Sequence, residues 1–321
     1  MKNTIKTALI LIGLSFPFFI VGYISLKEIL PLGRVEASLP IGGVKLDVIG
    51  LVSALIFTAF LNIGIYLFSD KIILRWNHAR EVKEVQSGIC TVFSLEKERV
   101  LTLHAILRNL TKKANLPRPK LHVIASPMPN IFSTGRNKKN ASIVVTNALL
   151  KLLDQEELES VVGHELFHVK NKDTLISTII AVLTGILTGL ATLALWCSIF
   201  LGFGQEDEPA PKLIRFFTMS LFAPPSALLI QLFIPKSREY AADKYSASLC
   251  MKPHNLARAL EKIENQLKLK EWKINPSHSH LFIINPLRFQ NNENIFNSWF
   301  NTHPSTKDRV KNLNTMGELV G

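Results

Sequence analysis

Acidic residues are scarce in this chain and cysteines scarcer, and both shortages narrow what it can be. Against 37 lysines and arginines stand 25 aspartates and glutamates, a formal net charge of +12. The three cysteines, Cys90, Cys197 and Cys250, are widely spaced and outside any CxxC pattern. That excludes a disulfide scaffold and a cysteine-built zinc site, and it suits a reducing compartment. No aromatic-interleaved basic helix or nucleic-acid motif accompanies the positive charge, so no nucleic-acid partner is expected. The basic residues sit instead beside apolar runs, at Lys2 and Lys6, at Lys71, Arg75, Arg80 and Lys83, and at Lys236 and Arg238. Cytoplasmic membrane flanks carry such an excess.

Four apolar runs are long enough to matter. Thr7 to Leu26 approaches the roughly 20 residues a bilayer crossing needs. A cleaved signal peptide competes for this run, but Pro17 interrupts it and no clear small-residue cleavage site follows, so a retained signal-anchor is expected. Val48 to Phe68 is a second span, after a loop marked by Pro31, Gly33, Pro40 and Gly42-Gly43. Thr174 to Phe203 and Leu213 to Ile234 are the third and fourth, joined by an acidic loop with Glu206, Asp207 and Glu208. Pro224-Pro225 interrupts the last, which either crosses or is re-entrant, and a buried hairpin in a soluble core is the alternative for both. The charges place the N-terminus and everything after Ile234 on the cytoplasmic side.

Between the second and third runs lies Val162-Gly163-His164-Glu165-Leu166-Phe167-His168-Val169, which contains HExxH. On a helix, His164 and His168 project from one face and can reach one tetrahedral Zn²⁺. Glu165 can hold a water against that metal and take its proton as it attacks a polarised carbonyl. The helix is well specified: Asp154 and Glu157 form a capping box, and Leu158, Val161, Val162, Leu166 and Val169 make an inward stripe. Upstream, a helix is expected over Ser94 to Leu116, ended by Pro117 and Pro119. Short strands follow at Leu121 to Ala125 and Ser142 to Thr146, with Ile131 to Thr134 a partner across the basic tip 135–140. An exposed edge strand there can hold an extended peptide.

After the fourth run comes Lys236-Ser237-Arg238-Glu239-Tyr240-Ala241-Ala242-Asp243. Glu239 and Asp243 share a helical face, so Glu239 can be the third metal ligand and Asp243 can accept the outward N–H of a ligating histidine. A solvated carboxylate pair beside Arg238 and Lys244 is the alternative. Ala241, Ala242 and Ala247 leave room for close helix approach. HExxHxxGxxH is absent, since neither the glycine nor a third histidine follows His168.

These motifs resemble the HtpX family of bacterial membrane zinc metallopeptidases, gluzincin-type relatives of the CAAX prenyl protease. The resemblance is carried by Pro129-Asn130-Ile131-Phe132-Ser133-Thr134-Gly135, Ser142-Ile143-Val144-Val145-Thr146, the HELFHVKNKD and SREYAADKYSA stretches, and Thr302-His303-Pro304 with Arg309. Ile131 departs from it, standing where the family more often has a small residue. The resemblance implies one Zn²⁺ per subunit on His164, His168 and Glu239, with Glu165 as general base. It implies a cytoplasmic catalytic domain at the cell inner membrane, acting on membrane or misfolded proteins in envelope quality control.

In the tail, His303 is a candidate catalytic donor to the oxyanion of the tetrahedral intermediate, and a surface histidine capping a helix is the competing reading. Arg309 either positions substrate or pairs with a carboxylate near Asp308. Lys270 to Asn294, with Trp272, His278 and His280, reads as a polar mobile loop able to cover the cleft. The fold expected is mostly α: a membrane protein with about four transmembrane helices and a cytoplasmic gluzincin-like α+β catalytic domain with a small β-sheet. Residues 1–70 would form a membrane hairpin, 71–173 the first catalytic part, 174–235 a second membrane hairpin and 236–321 the second catalytic part. The partners expected are protein substrates and the lipid bilayer. Prenyl-protein processing and a non-catalytic zinc-stabilised membrane adaptor are the rival functions; a purely structural zinc site would want a fourth protein ligand and no Glu165.

Overall fold

The computed structural model describes residues 36–38, 45–82, 97–184, 235–269, 272, 276–289 and 303–318, with backbone alone at 36–38, 45–55, 57, 58, 61 and 97. The chain divides into two compact units, Met1–Ser69 and Asp70–Gly321. In the first, β1 (Glu36–Ser38) and β2 (Lys45–Asp47) pair antiparallel, Ala37 opposite Leu46. Helix α1, Val48–Trp76, follows directly, and its last turns belong to the second unit. Its 29 residues correspond to a rod about 44 Å long at 1.5 Å per residue. Ile56, Phe60, Ile63 and Phe68 lie exposed on it.

Among the described residues no helix is long and apolar enough to cross a membrane. Of the expected spans, 7–26 and 213–234 lie outside the described residues, 174–203 is described only to 184, and 48–68 falls on α1, where several side chains are not described.

The second unit combines a four-stranded mixed sheet with helices. Strand order is β3 (Arg80–Glu81), β4 (Lys120–Ile124), β6 (Ser142–Thr146), β5 (Ile131–Thr134). β4 and β6 run parallel, Leu121 opposite Ile143, whereas β5 returns antiparallel on β6 with Ser133 opposite Ile143. β6 is buried along its whole length, so its Ser-Ile-Val-Val-Thr sequence shows no apolar–polar alternation: both faces are covered. β5 is the outer strand on the side toward the helix that carries HExxH.

Helix α2 (Lys97–Ala114) buries Leu103, Leu107 and Leu110, each such leucine worth roughly 1.5–3 kcal/mol of burial. The short α3 (Asn147–Leu152) starts on the Thr146 hydroxyl, and α4 (Gln155–Asn171) starts on Asp154. In that capping box Glu157 N–H donates to Asp154 Oδ1 at 2.9 Å and Asp154 N–H to Glu157 Oε2 at 3.0 Å, satisfying two amides the helix cannot. Leu158, Val161, Val162, Leu166 and Val169 of α4 are buried, as their spacing predicts. Lys172 ends it in the left-handed region, φ 60°, and a new helix, α5, runs over 173–184 as far as the described residues extend. α6 (Lys236–Cys250) packs along α4, α7 (Pro253–Lys268) against α4 and α6, and α8 (Thr306–Glu318) against α6 and α7. Lys262 Nζ reaches the buried Glu157 carboxylate at 2.7 Å, tying α7 to the first turn of α4.

The contact between α4 and α6 is close because Gly163 has no side chain. A Cβ there would lie 3.0 Å from Ser246 Oγ and 3.1 Å from Cys250 Sγ, and the Ser246 hydroxyl donates to the Ser160 carbonyl across the seam. Ala242 is buried on this seam but Ala241 is exposed, so the small residues that admit close approach are Gly163, Ala242 and Ser246 rather than the alanines as a set.

The expected polar loop over 270–294 is different where it is described. Residues 276–289 form two 3₁₀ turns, Pro276–Leu281 and Pro286–Phe289, and Leu281, Phe282, Ile283, Ile284 and Leu287 are buried. The physical reason is the apolar Leu-Phe-Ile-Ile run inside a stretch that is polar only on average. Phe282 packs on Phe132 of β5, ring centroids 6.0 Å apart, and His278 stacks on Trp76 at 5.6 Å.

Candidate metal centre

α4 supplies His164 and His168 one turn apart, and the first turn of α6 brings Glu239 against them. His164 Nε2 lies 3.4 Å from His168 Nε2 and 3.6 Å from Glu239 Oε2, and His168 Nε2 lies 3.6 Å from Glu239 Oε1. These three residues form the metal-capable group among the described residues. Donors about 2.0–2.2 Å from one tetrahedral zinc would stand roughly 3.3–3.6 Å apart, so the spacing fits.

The outer nitrogens decide which lone pairs face inward. His164 Nδ1–H donates to Asp243 Oδ1 at 2.9 Å, and His168 Nδ1 faces Asp173 Oδ2 at 3.4 Å. With protons held there, both Nε2 lone pairs point at the common centre. Glu239 Oε2 is buried and lacks a hydrogen bond among the described residues, the orphan oxygen a cation would satisfy. The residues therefore fit a zinc ion by spacing, tautomer and donor type.

Charge reinforces this. Burial opposes protonation of His164, but the Asp243 and Glu239 carboxylates outweigh it and raise its pKa to about 9. Burial holds His168 below its ordinary value. Burial works against ionisation of Glu239, yet His303, His164 and His168 drive its pKa well below the usual carboxylate range.

Glu165 and His303 line the same cleft as the three donors. Glu165 is 3% exposed, and Ser133 Oγ donates to its Oε2 at 2.7 Å. His303 is not the surface cap considered from sequence: it is buried, with Nε2 3.3 Å from the His280 carbonyl and Nδ1 3.2 Å from Glu239 Oε2.

Arg309 pairs with Asp243 rather than with a carboxylate near Asp308. It is fully buried and grips Asp243, Nε to Oδ2 at 2.8 Å and Nη2 to Oδ1 at 2.7 Å, while Nη1 donates to the Ile283 carbonyl at 2.8 Å. Burial would raise the Asp243 pKa, but Arg309 and His164 lower it below the ordinary value. Nor are Glu239 and Asp243 a solvated pair, since both are buried.

Asp173, which also pairs with Arg238, and Ser133 were not assigned to the site from sequence, whereas a wall formed by His280, Leu281, Phe282 and Ile283 lies within the stretch expected to cover the cleft and does line it. Asp173 follows His168 by five residues and was legible as a nearby carboxylate. The wall was signalled by four consecutive apolar residues. Ser133 lies in the Pro129–Gly135 stretch that carries the resemblance, but nothing in its residue type signalled its contact with Glu165.

The family model for peptidase family M48 matches residues 97–317. The chain is 39% identical over 267 residues to a protein named Protease HtpX homolog from Thermococcus kodakarensis, covering 83% of this chain and 86% of that one. It is 37% identical over 285 residues to the Aquifex aeolicus protein of the same name, covering 88% and 89%. Against the Persephonella marina protein, again of that name, identity is 36% over 323 residues, covering 99% of each. Among solved structures, that of S. mikatae Ste24p aligns with a TM-score of 0.44 at 17% identity, covering 97% of this chain and 66% of that one.

Proposed function

Given that the chain belongs to peptidase family M48 and is an HtpX-type metallopeptidase, we propose that it is a membrane-embedded zinc endopeptidase. In this reading it cleaves membrane or misfolded proteins at the cytoplasmic face of the inner membrane. His164, His168 and Glu239 hold one Zn²⁺, Glu165 is the general base and His303 the oxyanion donor. The observation that carries the reading is the convergence of those three donors, all within 4.8 Å of one another, beside Glu165 in one cleft.

Bound there, zinc would supply Lewis acidity toward the scissile carbonyl and toward a water. The chain's own residues do the rest. Asp243 and Asp173 hold the two imidazoles in the tautomer that presents Nε2. Glu165 takes a proton from the attacking water and delivers it to the leaving amine. His303, which lines the same cleft, would be the donor to the developing oxyanion. The cleft's apolar side, Ile176, Leu281, Phe282 and Ile283, excludes water and suits an apolar substrate side chain.

The proposed organisation is a membrane hairpin over 1–70, catalytic parts at 71–173 and 236–321, and a second membrane hairpin over 174–235. The apolar runs in the sequence and the exposed Ile56, Phe60, Ile63 and Phe68 of α1 support it. Extraction of cell membranes with alkaline carbonate should leave the chain in the pellet; release into the supernatant contradicts the membrane assignment. The mechanism is tested by Glu165→Gln in the purified full chain. Cleavage of a model unfolded protein is expected to fall at least about a thousandfold, from loss of both proton-transfer duties, while zinc content stays unchanged. Cleavage at the wild-type rate would remove Glu165 from the base role.

A further inference from the structure

One polar side chain reaches the cleft from the outer strand and has no part in either the metal or the proton-transfer roles above. Ser133 is 6% exposed, and its hydroxyl is 2.7 Å from Glu165 Oε2. Among the described residues no other side chain hydrogen-bonds to that carboxylate. We propose that Ser133 is a positioning residue for the hydrolysis, its hydroxyl pinning one oxygen of Glu165 so that the other, Oε1, is presented to the water. The proposal rests on Glu165 being the base.

The need for such a pin follows from the side chain itself. The terminal torsion of a glutamate is broad and nearly two-fold, so an unheld carboxylate spreads its oxygens over many directions, and only some face the reacting water. A hydroxyl donating to a carboxylate makes a short, charge-assisted bond that selects one orientation. It serves this purpose only if the donor is itself fixed, and Ser133 is. Its backbone is registered opposite Ile143 on the buried strand β6. On one side Phe132 packs on Phe282. On the other, Thr134 Oγ1 shares a hydrogen bond with Thr178 Oγ1 at 2.8 Å, and the Gly135 carbonyl accepts from Thr174 Oγ1 at 3.0 Å. Strand and α5 therefore hold the hydroxyl in place from both flanks. A serine serving only as a small residue at a crowded edge would owe nothing to its oxygen.

The test compares Ser133→Ala with Ser133→Thr in the zinc-loaded full chain. Losing a hydrogen bond to a charged group costs about 1.5 kcal/mol or more, which is roughly tenfold in rate. Because orientation rather than binding is lost, kcat should fall about tenfold with KM within roughly twofold, and Ser133→Thr should restore most of kcat. A second readout is independent of activity: infrared difference spectra of protein carrying ¹³C-carboxyl glutamate. Ser133→Ala minus wild type should show a shifted carboxylate stretch, and the shift should vanish when the pair is compared in a Glu165→Gln background. A kcat within twofold of wild type in Ser133→Ala, or no carboxylate shift, overturns the proposal. If Glu165 is not the base, Glu165→Gln retains cleavage while the infrared shift remains, so the two failures are distinguishable.

Discussion

Arg309→Met removes a cation that faces Asp243 across a buried contact, and its consequences can be worked through from the geometry. Methionine approximates the aliphatic stem of arginine but supplies none of its three hydrogen bonds, two to Asp243 and one to the Ile283 carbonyl. Asp243, 2% exposed, is left with His164 Nδ1–H alone. Breaking a buried ion pair by removing one partner costs about 3–5 kcal/mol, because the surviving charge is uncompensated. The stranded carbonyl adds to this, but it shares the same local relaxation, so about 4 kcal/mol is expected in total. At roughly 2–4 °C per kcal/mol for a unit of this size, Tm should fall by roughly 8–16 °C in calorimetry of the detergent-solubilised chain. An Asp243 carboxylate free to turn also no longer fixes His164, and zinc affinity should drop about 10- to 100-fold in a competition titration. Arg309→Met combined with Asp243→Asn removes both charges and should recover part of the lost stability, a positive coupling in the double-mutant cycle. If Arg309→Met melts within 2 °C of wild type and binds zinc equally well, the inferred chain from Arg309 through Asp243 to His164 is wrong.

Two further outcomes follow from packing and titration. Burial pushes the pKa of His278 down to about 4 from its ordinary 6.5, so between those values the unfolded chain binds a proton that the folded chain refuses. The contribution of His278 to stability should therefore be lost as pH falls from 6.5 to 4, about 3 kcal/mol in all, with nothing further lost from this group below. His278→Phe, which keeps an aromatic ring against Trp76, should flatten that slope in chemical denaturation at a series of pH values; an unchanged slope would assign it elsewhere. Gly163→Ala sets a helix-propensity gain of up to about 1 kcal/mol against overpacking of about 1–3 kcal/mol. Ser246 Oγ, engaged by the Ser160 carbonyl, has little freedom to retreat, so net destabilisation with weakened zinc binding is expected. A more stable variant with full zinc affinity would show that the seam between α4 and α6 has slack.

What could be read in advance was local in the chain. His164 and His168 are four apart, Asp154 and Glu157 three apart, and the stripe from Leu158 to Val169 obeys one period, so the arithmetic of a helix located them. Glu239 could be proposed from residue type, because an HExxH helix lacks a third donor and an acidic helix follows the apolar excursion. The partners of Arg309 could not be read, since they depend on how α8 settles against α6 and on a carbonyl at Ile283. The burial of 276–289 was hidden because its polar neighbours dominate the average, while Leu281 to Ile284 pack into space created only when β5 and α4 are already in place. Ser133 is the extreme case: an ordinary strand serine whose role depends on a distance of 2.7 Å to a residue on another element.

One cation shared by two helices is the central proposal, and the measurement that tests it most directly is metal content. Elemental analysis of the purified full chain, washed free of loosely bound ions, should give one zinc per wild-type chain and close to none in Glu239→Ala, with the variant's helical circular dichroism unchanged. Full zinc occupancy in a folded Glu239→Ala variant would mean that the metal is held without α6, and the centre described here would not be the one that binds it.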